Sequence, residues 1–207
     1  MKKMWFHALL CVGVSYVAGC RLLAQSRHSD LLATDRNDGR SPGAIAEVWT
    51  QISGDQISQL LASKDFPSKP TTRTLLNSLA IPRKNIENYG TRIRGYIHPA
   101  RTGHYIFHIS GDNESQFFLS SDDKPTGLSK EPIAFLSDKE WTSDYEWEKF
   151  PGQVSKPIRL ISGHRYFFEV LHKNGRNDGG VAVGWQQPDG LRNRPIPDTY
   201  LSTFDGR

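Results

Sequence analysis

Hydrophobic residues recur along this chain with two different periods. From Thr91 to Ile97 the alternation is strict, with Ile93, Gly95 and Ile97 on one face and Arg92, Arg94 and Tyr96 on the other, the period of two that a pleated strand imposes. After a turn at residues 99–103, Tyr105, Phe107 and Ile109 alternate with Ile106 and His108, and Gln116-Phe-Phe-Leu follows closely. Short turns between these three runs predict an antiparallel meander. Residues 44–50 predict an earlier strand, and residues 157–161, 165–172 and 181–186 three later ones at sandwich-like spacing. Ile57, Leu60 and Leu61 instead stand at i, i+3 and i+4, which predicts a short helix capped by Ser53 or Asp55 and broken at residues 64–70. The fold class expected is all-β: an antiparallel β-sandwich of two packed sheets with one short N-terminal helix. Trp49 and Trp185, inside apolar strand patterns, are expected in its core.

Composition agrees with this reading. The 18 Gly, 12 Pro and 11% aromatic residues suit a turn-rich β fold, and 207 residues suffice for one full-sized domain. The first nineteen residues differ: Met1-Lys-Lys-Met is a positive n-region and Trp5–Val17 an apolar stretch of signal-peptide length. They end in Val17-Ala-Gly-Cys20, which resembles a bacterial lipobox, so Cys20 is expected to carry lipid as the first residue of a membrane-anchored lipoprotein. Plain secretion after cleavage near Ala18 or Ala24 is the alternative. Residues 20–42 are polar and aperiodic and read as a flexible tether, leaving residues 43–207 as the folded domain. Cys11 lies in the apolar stretch, so no internal disulfide is expected. Without Lys2 and Lys3, 24 basic residues face 22 acidic ones, and no basic stripe suggests nucleic acid as a partner.

Chemistry-bearing patterns are few. His98, His104 and His108 lack metalloprotease spacing, and no nucleophile elbow, phosphate loop or zinc-ligand cysteine pair occurs. Glu140, Asp144, Glu146 and Glu148 offer carboxylates that could flank a glycosidic bond, yet the segment around Trp141 and Trp147 reads as a capping loop. The chain is expected not to be an enzyme. Ser121-Asp-Asp-Lys-Pro125 reads as a hairpin turn, and Gly111-Asp-Asn-Glu114 is, on residue types alone, a turn as well.

Glu47-Val-Trp-Thr, Asn88-Tyr-Gly-Thr-Arg-Ile-Arg-Gly-Tyr-Ile-His-Pro, Thr102-Gly-His-Tyr-Ile-Phe, Gly111-Asp-Asn-Glu-Ser-Gln-Phe-Phe-Leu-Ser, Glu169-Val-Leu-His-Lys-Asn-Gly and Val181-Ala-Val-Gly-Trp185 occur in this order. Together they resemble the PA-fourteen (PA14) domain, over roughly residues 44–205. The resemblance implies a β-sandwich lectin that binds glycan through calcium held between two loops, the first carrying consecutive aspartates joined by a cis peptide. Asp112 and Asn113 stand at those positions, with Asn in place of the second Asp. The second loop matches residues 172–180, where Asn177 and Asp178 are the expected metal ligands, and Gly179 falls where an acid is usual. The further ligand-binding residues expected in this second loop are Gly175, Arg176 and Gly179, while Trp141 and Trp147, by their place in a polar, acidic segment, are candidates for a sugar-stacking surface, with packing of that loop on the sheet as the alternative. The function so implied is non-catalytic, calcium-assisted carbohydrate binding, lectin or adhesin-like, on an exported lipoprotein at the periplasm or cell surface. A structural or protein-interaction module with a decayed metal site is the alternative.

Overall fold

The structure, a computed structural model, describes residues 39–204. Its elements are β1 (Ala44–Thr50), α1 (Ile57–Leu61), β2 (Thr72–Leu76), β3 (Ala80–Lys84), β4 (Tyr89–Ile97), β5 (Gly103–Gly111), β6 (Ser115–Leu119), β7 (Ala134–Leu136), β8 (Ile158–Leu160), β9 (Tyr166–Asn174), β10 (Gly179–Gln186), β11 (Arg192–Asn193) and β12 (Leu201–Thr203). One sheet runs β2-β1-β4-β9-β6-β7 with β12 also on β4, and the other runs β11-β10-β5-β8 with β3 also on β10. All pairings are antiparallel. This is the two-sheet sandwich with one short helix that the alternation predicts.

The predicted meander is corrected. β4, β5 and β6 are not hydrogen-bonded neighbours, because β5 lies in the other sheet from β4 and β6. Period two fixes which face of a strand is apolar but not which strand lies beside it, and a short connection can cross between sheets as readily as it can turn a hairpin.

Between the sheets, Phe107 on β5 packs on Phe117 of β6 at a ring-centroid distance of 5.3 Å and on Trp185 of β10 at 6.1 Å, while Phe117 meets Phe168 of β9 at 6.2 Å. Trp49 and Trp185 are both buried, as expected. Trp49 packs on the outer face of the larger sheet, where Phe66 stacks against it at 4.9 Å. That outer face is itself covered: Arg92 and Tyr96, on the face opposite Ile93 and Ile97, are buried under Phe66 and Phe204.

α1 departs from its expected cap. Gln56 is the N-cap, and its N–H donates to the Gln59 side chain at 2.8 Å. The next N–H, that of Ile57, donates to Glu114 Oε2 at 2.6 Å, tying the helix start to the β5–β6 connection. Ile57 and Leu60 are buried, whereas Leu61 is exposed because five residues do not carry a second apolar turn.

Candidate functional site

Two connections cross from one sheet to the other at the same end of the sandwich. Asp112–Glu114 leads from β5 to β6, and residues 175–178 lead from β9 to β10. β5 pairs with β10, placing Gly111 opposite Val181, and β6 pairs with β9, placing Ser115 opposite His172. The two crossings must therefore lie side by side. They are laced together: the Asp112 N–H donates to the Gly180 carbonyl at 3.1 Å, the Lys173 N–H to the Glu114 carbonyl at 2.9 Å, and the Gly175 N–H to Asn113 Oδ1 at 3.1 Å.

Two further segments complete a cleft. Asn88, just before β4, donates its N–H to the Gly175 carbonyl at 3.0 Å, and Trp141 forms an antiparallel bridge with Asp112. The cleft is lined by Ser53, Asp55, Glu87, Asn88, Asp112 and Asn113, together with Trp141, Arg176 and Asn177. Asn88, Asn113 and Asn177 all have left-handed backbones, with φ of 57°, 58° and 62°. Asparagine is one of the few non-glycine types that tolerates this region. Three such residues at one cleft mark tightly determined backbone turns of the kind that gathers at binding sites.

Buried ionisable groups lie just beneath. His172 donates from Nε2 to the Asp112 carbonyl at 2.9 Å, and its Nδ1 has no partner among the described residues. Burial pulls its pKa down to about 4, so it is neutral at pH 7. Tyr89 is held well above the usual phenol range, first by burial and then by the Asp112 charge. Lys173 is fully buried, donates to the Gly54 and Asn174 carbonyls, and is pulled down by desolvation to about 8.

The residues expected to hold calcium have protein partners of their own. The peptide bonds in the cis form among the described residues are Phe66–Pro67 and Arg194–Pro195, so Asp112–Asn113 is trans. Asp112 Oδ2 accepts from Arg83 Nη1 at 3.0 Å, and Asn113 Oδ1 is taken by the Gly175 N–H. The Asp178 carbonyl accepts from Arg83 as well, at 3.3 Å. Among the described residues no three His, Cys, Asp or Glu side chains gather as a metal-holding group. Calcium takes six to eight oxygens; as these side chains are disposed, the residues do not fit it.

The other predicted residues are divided. Gly175, Arg176 and Asn177 line the cleft, whereas Asp178 and Gly179 do not. A Cβ on Gly179 would stand 2.3 Å from the Asn174 side chain, which donates to the Ile86 and Asn177 carbonyls, so this glycine admits a buried brace and not a ligand. Trp147 lies outside the cleft lining and stacks on Tyr145 at 6.0 Å. The carboxylates of the capping segment are turned to partners of their own: Asp144 to Arg83, Glu146 to the Ser143 N–H and Glu148 to Arg194. The Asp122–Asp123 pair sits in a turn, with Asp122 Oδ1 accepting the Lys124 N–H at 2.8 Å. Sequence reasoning missed Arg83, Glu87 and the 53–55 segment. In the sequence, Ser53 and Asp55 read only as helix caps, and Pro82 disguises β3 as a non-strand. Cys20, the expected lipidation site, lies outside the described residues.

Residues 69–199 match the family model of the PA14 domain. The mouse N-acetyl-beta-glucosaminyl-glycoprotein 4-beta-N-acetylgalactosaminyltransferase 1 is 39% identical over 159 residues, which are 76% of this chain and 15% of that protein. The chain thus spans a small part of this relative. Among solved structures, the A domain of epithelial adhesin 6 from Candida glabrata, in complex with Galβ1-3GlcNAc, superposes with a TM-score of 0.57 at 12% identity, over 84% of this chain and 92% of that one. A PA14 sugar-binding domain from an RTX adhesin does so with a TM-score of 0.58 at 9% identity, over 79% and 99%. At these identities the two structures show the shared fold. The glycosyltransferase relative overturns the expectation that the chain is simply not an enzyme: the stretch of sequence it shares occurs within one.

Proposed function

This chain belongs to the PA14 domain family, and from that membership we propose that its loop end binds a neutral glycan containing N-acetylglucosamine, in the setting of glycosyl transfer. The observation that carries the proposal is the cleft between the two crossings, where the polar side chains of Asp55, Asn88, Asp112 and Asn177 stand beside the indole of Trp141, which is 54% exposed. A pyranose offers hydroxyls to the first group and a C–H face to the second. Lys149 Nζ lies 3.9 Å from the centroid of the Trp141 ring and covers one face; the opposite face is where a sugar stacks. Arg176 at the rim donates to hydroxyl oxygens. The lining carries Asp55, Glu87 and Asp112 against Arg176 alone, so sialylated chains are disfavoured by like charge.

Two similar proteins support the ligand class. The mouse relative is named for an N-acetyl-beta-glucosaminyl glycoprotein, and the yeast adhesin domain was solved with a GlcNAc-containing disaccharide. The proposal includes export through residues 1–19, and the intact mass of the mature N-terminus tests for lipid on Cys20.

A glycan array probed with the full chain is expected to retain neutral GlcNAc-containing chains. Trp141→Ala should weaken those hits roughly 3- to 10-fold, the loss of one aromatic stack, while Trp147→Ala leaves them unchanged. An array without hits, or hits indifferent to Trp141→Ala, rejects the proposal.

A further inference from the structure

Arg83 extends from β3 into the space where three loop segments meet. Its Nη1 donates to Asp112 Oδ2 at 3.0 Å and to the Asp178 carbonyl at 3.3 Å, its Nε pairs with Asp144 Oδ1 at 2.7 Å, and its Nη2 donates to the Thr142 carbonyl. Two carboxylates and two carbonyls, from the first crossing, the second crossing and the 141–144 segment, thus converge on one guanidinium. Its side chain is only 22% exposed. We infer that Arg83 is the built-in cation of this loop end: it joins the two crossings and the 141–144 segment, the task a bound calcium ion was expected to perform, and makes their arrangement independent of divalent metal.

The chemistry favours this assignment. A guanidinium is always charged and presents five donors in a rigid fork, which lets it join several oxygen acceptors from different segments at once. A calcium ion at the same oxygens would need them drawn in to about 2.3–2.6 Å and would face the positive charge of Arg83. Lys173 repeats the device one layer down, since its buried ammonium ties the Gly54 carbonyl to that of Asn174. The backbone bonds that depend on the Arg83 clamp are those of Asp112 to Gly180 and of Thr142 to Gly111, at 3.1 and 2.9 Å.

The test needs no sugar, so its failure is separable from failure of the glycan proposal. Calcium titrated calorimetrically into the full chain, to ~10 mM and thus beyond the weakest extracellular sites, is expected to give no saturable heat, and melting is expected to be the same in calcium and in chelator. Saturable binding that is lost in Asp112→Ala overturns the inference. In Arg83→Met, hydrogen exchange at the Asp112 and Thr142 amides is expected to quicken about 10-fold or more as the loops open locally, while exchange at the Phe107 amide in the core stays slow. Amides at 112 and 142 as protected as in the wild type also overturn it. Should Arg83→Met fail to fold, the calcium titration of the unaltered chain still decides.

Discussion

Lowering the pH from about 7 to about 5 is expected to reduce the unfolding free energy by about 2 to 4 kcal/mol, through two buried histidines. His172 lies wholly buried beneath the cleft, and burial, aided by the nearby Lys173 and Arg83 charges, pulls it to about 4 although its bond to the Asp112 carbonyl works the other way. His108, only 3% exposed on the outer face of the smaller sheet, is pulled to about 4 by burial and by Arg194, whose Nη2 donates to His108 Nε2 at 2.7 Å. Glu148 and the Trp147 backbone oppose that shift without cancelling it. In the unfolded chain both rings take a proton near the ordinary value of 6.5, whereas in the folded chain they stay neutral until about 4. Between those values the unfolded state binds more protons, so stability is fully present above about 6.5 and is lost as the pH falls through the window. Each pKa unit is worth about 1.4 kcal/mol. Urea denaturation at the two pH values measures the loss, and His172→Gln should remove about half of it. Equal midpoints at pH 7 and pH 5 would refute the assignment.

The site explains why the fold was more legible in the sequence than the chemistry. Alternation over residues 91–97 and 105–109 gave strands and their faces, because side-chain direction is a property of consecutive residues. Strand partners were not legible: β4 to β6 read as a meander although β5 crosses to the other sheet. Motif order singles out Asp112 and Asn113, and both line the cleft. Their employment was not readable, because the cation that engages Asp112 lies 29 residues upstream on a strand interrupted by Pro82. Trp141 and Trp147 carried the same signal, an aromatic in an acidic loop, and only the bridge of Trp141 to Asp112 separates their fates. Alternation puts Arg92 and Arg94 on one face but does not show what covers that face; residues 66 and 204, distant in sequence, do so here.

The cover over Arg92 and Arg94 carries the largest expected mutational effect. Glu47 on β1 stands directly across from Arg92 on β4. Its Oε2 accepts from Arg92 Nε at 2.9 Å and from Arg94 Nη2 at 3.1 Å, and forms an ion pair with Arg92 Nη2 at 2.8 Å. The Glu47 and Arg92 side chains are 8% and 9% exposed. Burial and the charge of Arg92 already pull the Arg94 pKa down, and Glu47, first by charge and also by its hydrogen bond, counteracts them together with Glu169. Glu47→Ala leaves two guanidinium cations on a covered sheet face with Glu169 as the remaining acid beside them, an arrangement expected to cost about 3–5 kcal/mol. Chemical denaturation reads that value directly. Glu47→Gln keeps acceptor capacity without charge and should fall between Ala and wild type. Because breaking such a group hurts more than replacing it whole, adding Arg92→Met to Glu47→Met should recover stability relative to Glu47→Met alone, even though Arg92 also stacks on Trp49 and Phe66. A double variant less stable than Glu47→Met would show that this stacking outweighs the charge balance, and that Arg92 holds residues 66–67 to the sheet chiefly as a packing group.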